Sequence, residues 1–406
     1  MSAVNSRDSA TVSRAAPSLL ARLLERSIPP VAFGRLSVTL PSGEAVTRSG
    51  TCAGPEARMV IHRPRALGRI VLDGEIGFVD GYLDGEWSTP DLPALLSFLL
   101  ANEDSLRPRR RASGLTALCN RIRHALHVNT RGGSRRNIAA HYDLGNAFYE
   151  RWLDAGMNYS SALYHGRESL EDAQDAKIER IVDLLELQGR ERVLEIGCGW
   201  GALAQRIAPK VAYTGITLST EQRDFAIRRL AADGADAPDV RLQDYRDVRD
   251  TYDRIVSIEM FEAVGERYWQ LYFERLRAAL STNGIAVLQV ITIAASRFPA
   301  YRRRPDFIQR HIFPGGMLPT MPHLEALAEG CGLAIVESQS FGMSYAETLR
   351  EWRSRFTQAW PSIGPLGFNE RFRRMWEYYL AYCETGFRHQ TIDVSLLKLV
   401  PERGKR

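Results

Sequence analysis

The feature that most constrains this fold is a glycine-rich run, Val193-Leu194-Glu195-Ile196-Gly197-Cys198-Gly199-Trp200-Gly201. Its first half is typical of a buried parallel strand. Its three glycines permit a sharp turn into a helix and let the backbone approach a ligand closely. Dinucleotide-binding proteins use a related turn, in which the third glycine comes one residue later. The run therefore predicts a strand–turn–helix unit that is either a cofactor site or a purely structural turn.

Strands and helices alternate from about residue 137 onward. The pattern predicts strands at 192–197, 211–216, 239–242, 253–258 and 284–291, and helices at 169–187, 200–209, 219–233 and 265–280. Such alternation indicates a parallel sheet with right-handed crossovers. Later strands at 333–340 and 392–400 are predicted to form an antiparallel edge, which makes seven strands. The helices predicted between them, at 345–360 and 367–387, are rich in aromatic residues that suit a core or the wall of an acyl tunnel.

The 406 residues are long enough for two domains. We predict a disordered tail at 1–17, a small mixed α/β domain at 18–103 that docks on lipid or dimerises, a basic linker at 104–136 and the main α/β domain at 137–406. Within the small domain, Ile70–Leu72 predicts a short strand before the turn at Asp73-Gly74.

The net charge is +5, and arginine carries nearly all of the positive charge. Basic clusters at 107–111, 131–136 and 302–304 suit either a solvated face or an anionic partner such as phospholipid headgroups. No interleaved aromatic and basic module is present, so we expect no nucleic-acid partner. Five dispersed cysteines indicate a reducing compartment, and no stretch predicts a signal peptide or a transmembrane helix. We therefore expect a cytoplasmic protein that is peripheral to the inner face of a membrane.

The spacing of the glycines resembles the first motif of the class I S-adenosylmethionine (SAM) methyltransferases. In such sheets the ligand lies beyond the carboxyl ends of the strands. We therefore expect cofactor contacts from the loops after the first three strands. The candidates are Glu195, Gly197, Cys198, Gly199 and Gly201, then Thr217, Leu218 and Gln222, then Asp244 and Tyr245. Thr217 and Gln222 stand where such enzymes usually carry an acid, although Gln222 also suits a capping box with Ser219.

Further segments resemble the cyclopropane fatty-acyl-phospholipid synthase family from about residue 137 to 400. They are His141–Asn146, Met157–Ala162, Ile216–Ser219, Ser257–Gly265, Phe307–Pro319 and Tyr345–Trp352. The resemblance implies SAM-dependent methylation of the cis double bond of an unsaturated phospholipid acyl chain. It also places Tyr159 and Ser160 beside the cofactor and makes His141 and Tyr142 part of a lid over it. The histidines share no metal-ligand spacing, so no metal is expected.

An alkene is a weak nucleophile, so its methylation needs a strong electrophile and leaves a carbocation on the chain. A site for this chemistry must exclude water, stabilise positive charge and supply a base. In the family the base is a bound bicarbonate. The resemblance assigns Glu262, the backbone of Ile291 and Tyr345 to that ion.

Two positions depart from the family pattern, because Ser161 replaces a cysteine and Gln289 replaces a histidine. Both side chains can still hydrogen-bond an anion. We expect the product to be a cyclopropane fatty acyl chain. The departures leave two alternatives open, methyl transfer without ring closure to a methylene or methyl-branched chain, and a non-catalytic lipid-binding homologue. A methyltransferase for small molecules or RNA is a further alternative. The segments that resemble the lipid-acceptor side of the family, around Tyr159–Ser161 and at 307–319, argue against it.

Overall fold

The computed structural model describes residues 17–106, 144–166, 168–234 and 238–402. The chain divides into two compact units, at 1–109 and 110–406. The predicted tail, nearly all of the basic linker with its two arginine clusters, and the lid residues His141 and Tyr142 lie outside the described residues. None of the described helices combines the length and apolar character needed to cross a bilayer.

The first unit contains a four-stranded sheet in the order β2-β1-β3-β4, with helices before and after its strands. Its elements are α1 (Leu19–Ser27), β1 (Phe33–Thr39), β2 (Ala45–Ser49), β3 (Cys52–Ile61), α2 (Arg65–Asp73), α3 (Glu75–Leu83), β4 (Trp87–Ser88), α4 (Leu92–Ala101) and α5 (Glu103–Leu106). The predicted strand at Ile70–Leu72 is wrong, because these residues form the last turns of α2. The helix begins directly after Pro64 and ends at Gly74, whose φ of 60° stops it.

The second unit holds the larger sheet. Its helices are α6 (Asn146–Tyr149), α7 (Leu170–Leu185), α8 (Ala202–Ile207), α9 (Thr220–Ala232), α10 (Trp269–Ala279), α11 (Phe298–Tyr301), α12 (Phe307–His311), α13 (Met321–Gly330), α14 (Gly342–Ile363) and α15 (Glu370–Arg388). Its strands are β5 (Arg192–Ile196), β6 (Ala212–Thr217), β7 (Val240–Leu242), β8 (Tyr252–Ile258), β9 (Leu280–Ile293), β10 (Leu333–Ser340) and β11 (Ile392–Pro401).

The seven strands follow the order β10-β11-β9-β8-β5-β6-β7. Strands β5 to β9 pair in parallel, whereas β11 pairs antiparallel with both β9 and β10. The predicted Rossmann-like α/β class and the antiparallel edge are therefore confirmed. Strand β9 begins four residues earlier than predicted, since its first residue, Leu280, already pairs with Tyr252.

The order of the strands decides where a ligand can bind. The carboxyl ends of β5, β6, β8 and β9 meet at one edge of the sheet, so the loops after Ile196, Thr217 and Ile258 are brought together there. Helices α14 and α15 are packed against each other and carry buried aromatic residues, among them Trp352 and Trp376.

Candidate active site

The glycine turn after β5 has the geometry of a cofactor cradle. The amides of Gly197 and Cys198 both donate to the carbonyl of Ile216, at 2.9 and 3.1 Å, and so join the turn to β6. Gly197, Gly199 and Gly201 all have positive φ, which favours glycine. A Cβ at Gly199 would meet nothing within 4 Å, so this part of the turn faces open space. The turn therefore leaves room for a ligand to approach its backbone at Gly199.

The second loop is held by buried polar side chains. The Thr217 hydroxyl donates to Gln222 Oε1 at 2.9 Å, and the Ser219 hydroxyl accepts from the Gln222 amide at 3.3 Å. The predicted N-cap at Ser219 is therefore present, and Gln222 is held at the end of β6 with Leu218 in the loop between them. This arrangement stands where an acid would otherwise bind a ribose.

The third loop brings an arginine that the sequence analysis did not single out. Asp244 is buried and accepts two hydrogen bonds from the guanidinium of Arg246, at 2.8 and 2.6 Å. The same guanidinium lies over the rings of Tyr245 and Tyr268, 5.6 and 5.5 Å from their centroids. Asp244 is therefore held by an ion pair, and the ring of Tyr245 is held against it.

Glu195 and Cys198 are buried beneath the turn. Glu195 Oε2 accepts from the Tyr213 hydroxyl at 2.5 Å, and burial raises the pKa of Glu195 to about 8. Burial also raises the pKa of the Cys198 thiol well above its ordinary value. A thiol with a raised pKa is a poor nucleophile, so Cys198 acts as a small packing residue.

A carboxylate that the sequence analysis did not assign lies at the centre of the predicted catalytic residues. Glu259 directly follows β8 and has a left-handed φ of 48°. Its Oε1 accepts from the Ser161 amide at 2.8 Å and from the Gln289 side chain at 2.6 Å, while its Oε2 accepts from the Tyr345 hydroxyl at 2.6 Å. Three of the five predicted catalytic residues therefore converge on one carboxylate.

The other two predicted catalytic residues contact each other beside this group. Glu262 Oε1 accepts from the amide of Ile291, and the buried Glu262 Oε2 has no hydrogen-bond partner among the described residues. Burial raises the pKa of Glu262 to about 8, and the nearby charge of Glu259 adds to the rise. Glu262 is therefore protonated at neutral pH. Gln289 Oε1 is likewise buried without a partner in the described part of the chain.

The acceptor-side segment at 159–162 is fixed to helix α14 by two contacts. The amide of Ala162 donates to Thr348 Oγ1 at 3.1 Å, and the amide of Tyr164 donates to Ser344 Oγ at 3.1 Å. The same helix carries Tyr345. Tyr345 and the acceptor-side segment are therefore held by the same helix.

Aromatic rings surround this segment. The Tyr159 hydroxyl lies 3.0 Å from that of Tyr379, and the Tyr159 ring lies 5.4 Å from that of Trp352. Trp152 contacts both Tyr159 and Trp352, each with a centroid distance of 5.7 Å. The surroundings are thus apolar and rich in π faces, which suits a cationic intermediate.

A seven-stranded sheet in this order, with the antiparallel β11 beside β9 and an open glycine turn after β5, is the fold of the class I SAM-dependent methyltransferases. Residues 130–397 match the family described as mycolic acid cyclopropane synthetase. The tuberculostearic acid methyltransferase UfaA1 of Mycobacterium tuberculosis is 41% identical over 88% of this chain and 87% of its own length. The cyclopropane-fatty-acyl-phospholipid synthase of Escherichia coli is 35% identical over 94% of this chain and 96% of its own.

The solved structures agree with these relatives. The mycolic acid cyclopropane synthase CmaA1, complexed with SAH and CTAB, is 31% identical with a TM-score of 0.60, covering 65% of this chain and 97% of its own. The chain belongs to the cyclopropane fatty-acyl-phospholipid synthase family. It is a SAM-dependent methyltransferase.

Proposed function

We propose that this enzyme methylates the cis double bond of unsaturated phospholipid acyl chains and releases a methylene-branched chain. The observation that carries the proposal is the Glu259 carboxylate, which accepts hydrogen bonds from Ser161, Gln289 and Tyr345. SAM supplies the electrophilic methyl group. Its predicted contacts are the open glycine turn, Tyr159 and Ser160 on the acceptor side, and the loops that carry Thr217, Gln222 and Tyr245.

A bound bicarbonate does not fit this arrangement. The resemblance gives that ion Glu262, the backbone of Ile291 and Tyr345, with Ser161 and Gln289 at the two departing positions. Ser161, Gln289 and Tyr345 each donate to Glu259 instead. The amide of Ile291 donates to Glu262. Adding a second anion beside the Glu259 carboxylate is also opposed by like charge. We therefore assign the role of base to Glu259.

The position of this base favours a product without a ring. Methyl transfer to one alkene carbon leaves a cation on its neighbour. Ring closure needs prompt removal of a proton from the new methyl group, but both oxygens of Glu259 already accept hydrogen bonds and its side chain is tethered. A 1,2-hydride shift can then move the cation onto the methyl-bearing carbon. Loss of a methyl proton to Glu259 then forms a C=CH₂ group that branches from the chain.

A ring product is the second candidate, and Glu262, Ile291 and Tyr345 favour it because they match the family pattern. Both products add one CH₂ to the chain and release one proton, so they have the same mass. A saturated methyl branch would need two further reducing equivalents, which neither SAM nor Glu259 supplies.

The test is gas chromatography–mass spectrometry of total fatty acids from a host that expresses the protein, against an empty vector. We expect monounsaturated chains to gain 14 mass units and, after derivatisation of the double bond, to fragment as a 1,1-disubstituted olefin. A product that resists derivatisation is a cyclopropane and contradicts the assigned product. No new lipid contradicts the acceptor itself.

We also propose that the enzyme works at an anionic membrane surface on the inner face, with the first unit serving to dock or dimerise. Arg302, Arg303 and Arg304 form an exposed basic cluster in the second unit. An arginine near an anionic bilayer contributes about 1 kcal/mol. Changing all three to glutamine should therefore weaken binding to phosphatidylglycerol vesicles about tenfold or more, and added salt should weaken the wild type.

Vesicle co-sedimentation measures this effect. A variant with glutamine at the exposed and scattered Arg190, Arg206 and Arg228 removes the same charge and serves as the control. Equal losses in the two variants would show that net charge matters and the cluster does not. Vesicle binding of the wild type that does not change with salt concentration would contradict an electrostatic attraction to the membrane.

A further inference from the structure

A buried lysine lies directly behind the acceptor segment. Lys177, on α7, is 3% exposed, although lysine is rare at such depth. Its Nζ donates to Ser160 Oγ at 2.9 Å. One turn earlier, the Gln174 side chain donates to the Ser160 carbonyl at 2.9 Å. Helix α7 therefore holds Ser160 by both its side chain and its backbone, and the next amide along the chain is the one that Ser161 donates to Glu259.

The ammonium is surrounded by acidic groups from three other parts of the second unit. Glu259 follows β8, Glu195 lies at the end of β5, and Asp154 lies between α6 and the acceptor segment. Burial lowers the pKa of Lys177, while the charges of Glu259, Asp154 and Glu195 act to raise it.

Further titratable groups lie against these acids. Tyr345 donates to Glu259 and Tyr213 donates to Glu195, while Glu262 and Cys198 interact with those two carboxylates. Asp154 also interacts with Arg229 and Arg355. A charge on the Lys177 amine therefore acts on Glu259 and Glu195 together.

We propose that Lys177 is a positioning residue for the reaction: its ammonium keeps the Glu259 carboxylate ionised and holds the Ser160–Ser161 segment against it. This inference rests on the proposed role of Glu259 as base. Stability alone gives little reason for a lysine here. Replacing a buried ion-paired group by an apolar one of similar volume is often neutral or stabilising.

The sign of the expected pH effect follows from the charge. Without the ammonium, the ionised form of Glu259 loses a stabilising partner, so the pKa of Glu259 rises. The base is then active only at higher pH. Burial is the largest influence on the pKa of Glu259 and raises it, and the charge of Lys177 opposes that rise. The rising limb of the kcat profile should therefore move to higher pH, and methyl transfer at a fixed pH on that limb should fall.

Three variants separate the charge from the hydrogen bond. Lys177→Gln keeps a donor for Ser160 without the charge, and Lys177→Met removes both. Gln174→Met removes the neighbouring brace and leaves the charge in place. Lys210→Met, at an exposed lysine of the same unit, is the control. Thermal unfolding and SAM titration would check that each variant is folded.

The proposal predicts that both Lys177 variants shift the pH limb further than Gln174→Met does, while Lys210→Met leaves it in place. An unshifted limb in Lys177→Gln overturns it. A direct readout keeps this test separate from the proposed function. The infrared carboxyl band that disappears in Glu259→Gln should lie in the ionised region in the wild type and in the protonated region in Lys177→Gln. The same band position in both proteins overturns the proposal even if no lipid is methylated.

Discussion

Replacing Glu259 with glutamine is expected to lower kcat for methylated lipid by about 10²- to 10⁴-fold, the usual contribution of a positioned base. Glutamine keeps the length of the side chain and one oxygen that can accept from Ser161 and Gln289, while its NH₂ group can donate to the Tyr345 hydroxyl. It cannot take up the proton that the reaction releases. Turnover by the purified enzyme on vesicles of unsaturated phospholipid, followed as radiolabelled methyl in lipid, measures the loss.

Glu259→Gly sharpens this prediction, because glycine suits the left-handed backbone at this position and leaves Ser161, Gln289 and Tyr345 free to hold another anion. We expect its activity to depend on added bicarbonate or formate, whereas the wild type is unaffected by either. With a mobile anion as base, the product should also shift toward the ring. Full activity in Glu259→Gln, or a wild type that needs bicarbonate, would contradict the assignment of Glu259 as base.

Replacing Trp152 with alanine is expected to lower the free energy of unfolding of the second unit by about 3–5 kcal/mol, as for other large aromatic residues in cores. Trp152 is fully buried, and its ring lies within 6.0 Å of five others, those of Phe148, Tyr149, Tyr159, Trp352 and Trp376. Its loss leaves a cavity beside Tyr159 that this dense cluster can fill only in part.

Urea unfolding followed by circular dichroism tests this prediction. Trp360→Ala is the matched control, because Trp360 is partly exposed and packs mainly on Phe356 and Arg373. It should cost less than about 2 kcal/mol. Equal losses at the two positions would mean that the cluster around Trp152 has no special part in stability.

The sequence was sufficient for the sheet because the signal for each strand is local. The glycine run, the apolar strands and the turn residues are read over five to ten neighbouring positions. The strand predicted at Ile70–Leu72 failed for the same reason. Three apolar residues before a turn are equally compatible with the end of a helix, and the N-terminal signal that decides the matter lies at Pro64.

The site was predictable only in part, because its central contacts join distant positions. Ser161, Gln289 and Tyr345 were singled out one by one, yet they lie 98, 30 and 86 positions from the carboxylate that they share. Glu259 lies in the same loop as Glu262. An acidic residue at the end of a parallel strand could have been recognised from the sequence as a candidate site residue. Lys177 gave no such signal, since a single lysine in an amphipathic helix is usually exposed.

Helix α14 contacts both Glu259 and the backbone of the acceptor segment. Tyr345 contacts the base, and Ser344 and Thr348 hold the backbone of the acceptor segment, all within two turns of one helix. A substitution that displaced this helix would therefore disturb the Tyr345 contact and the backbone of the acceptor segment together.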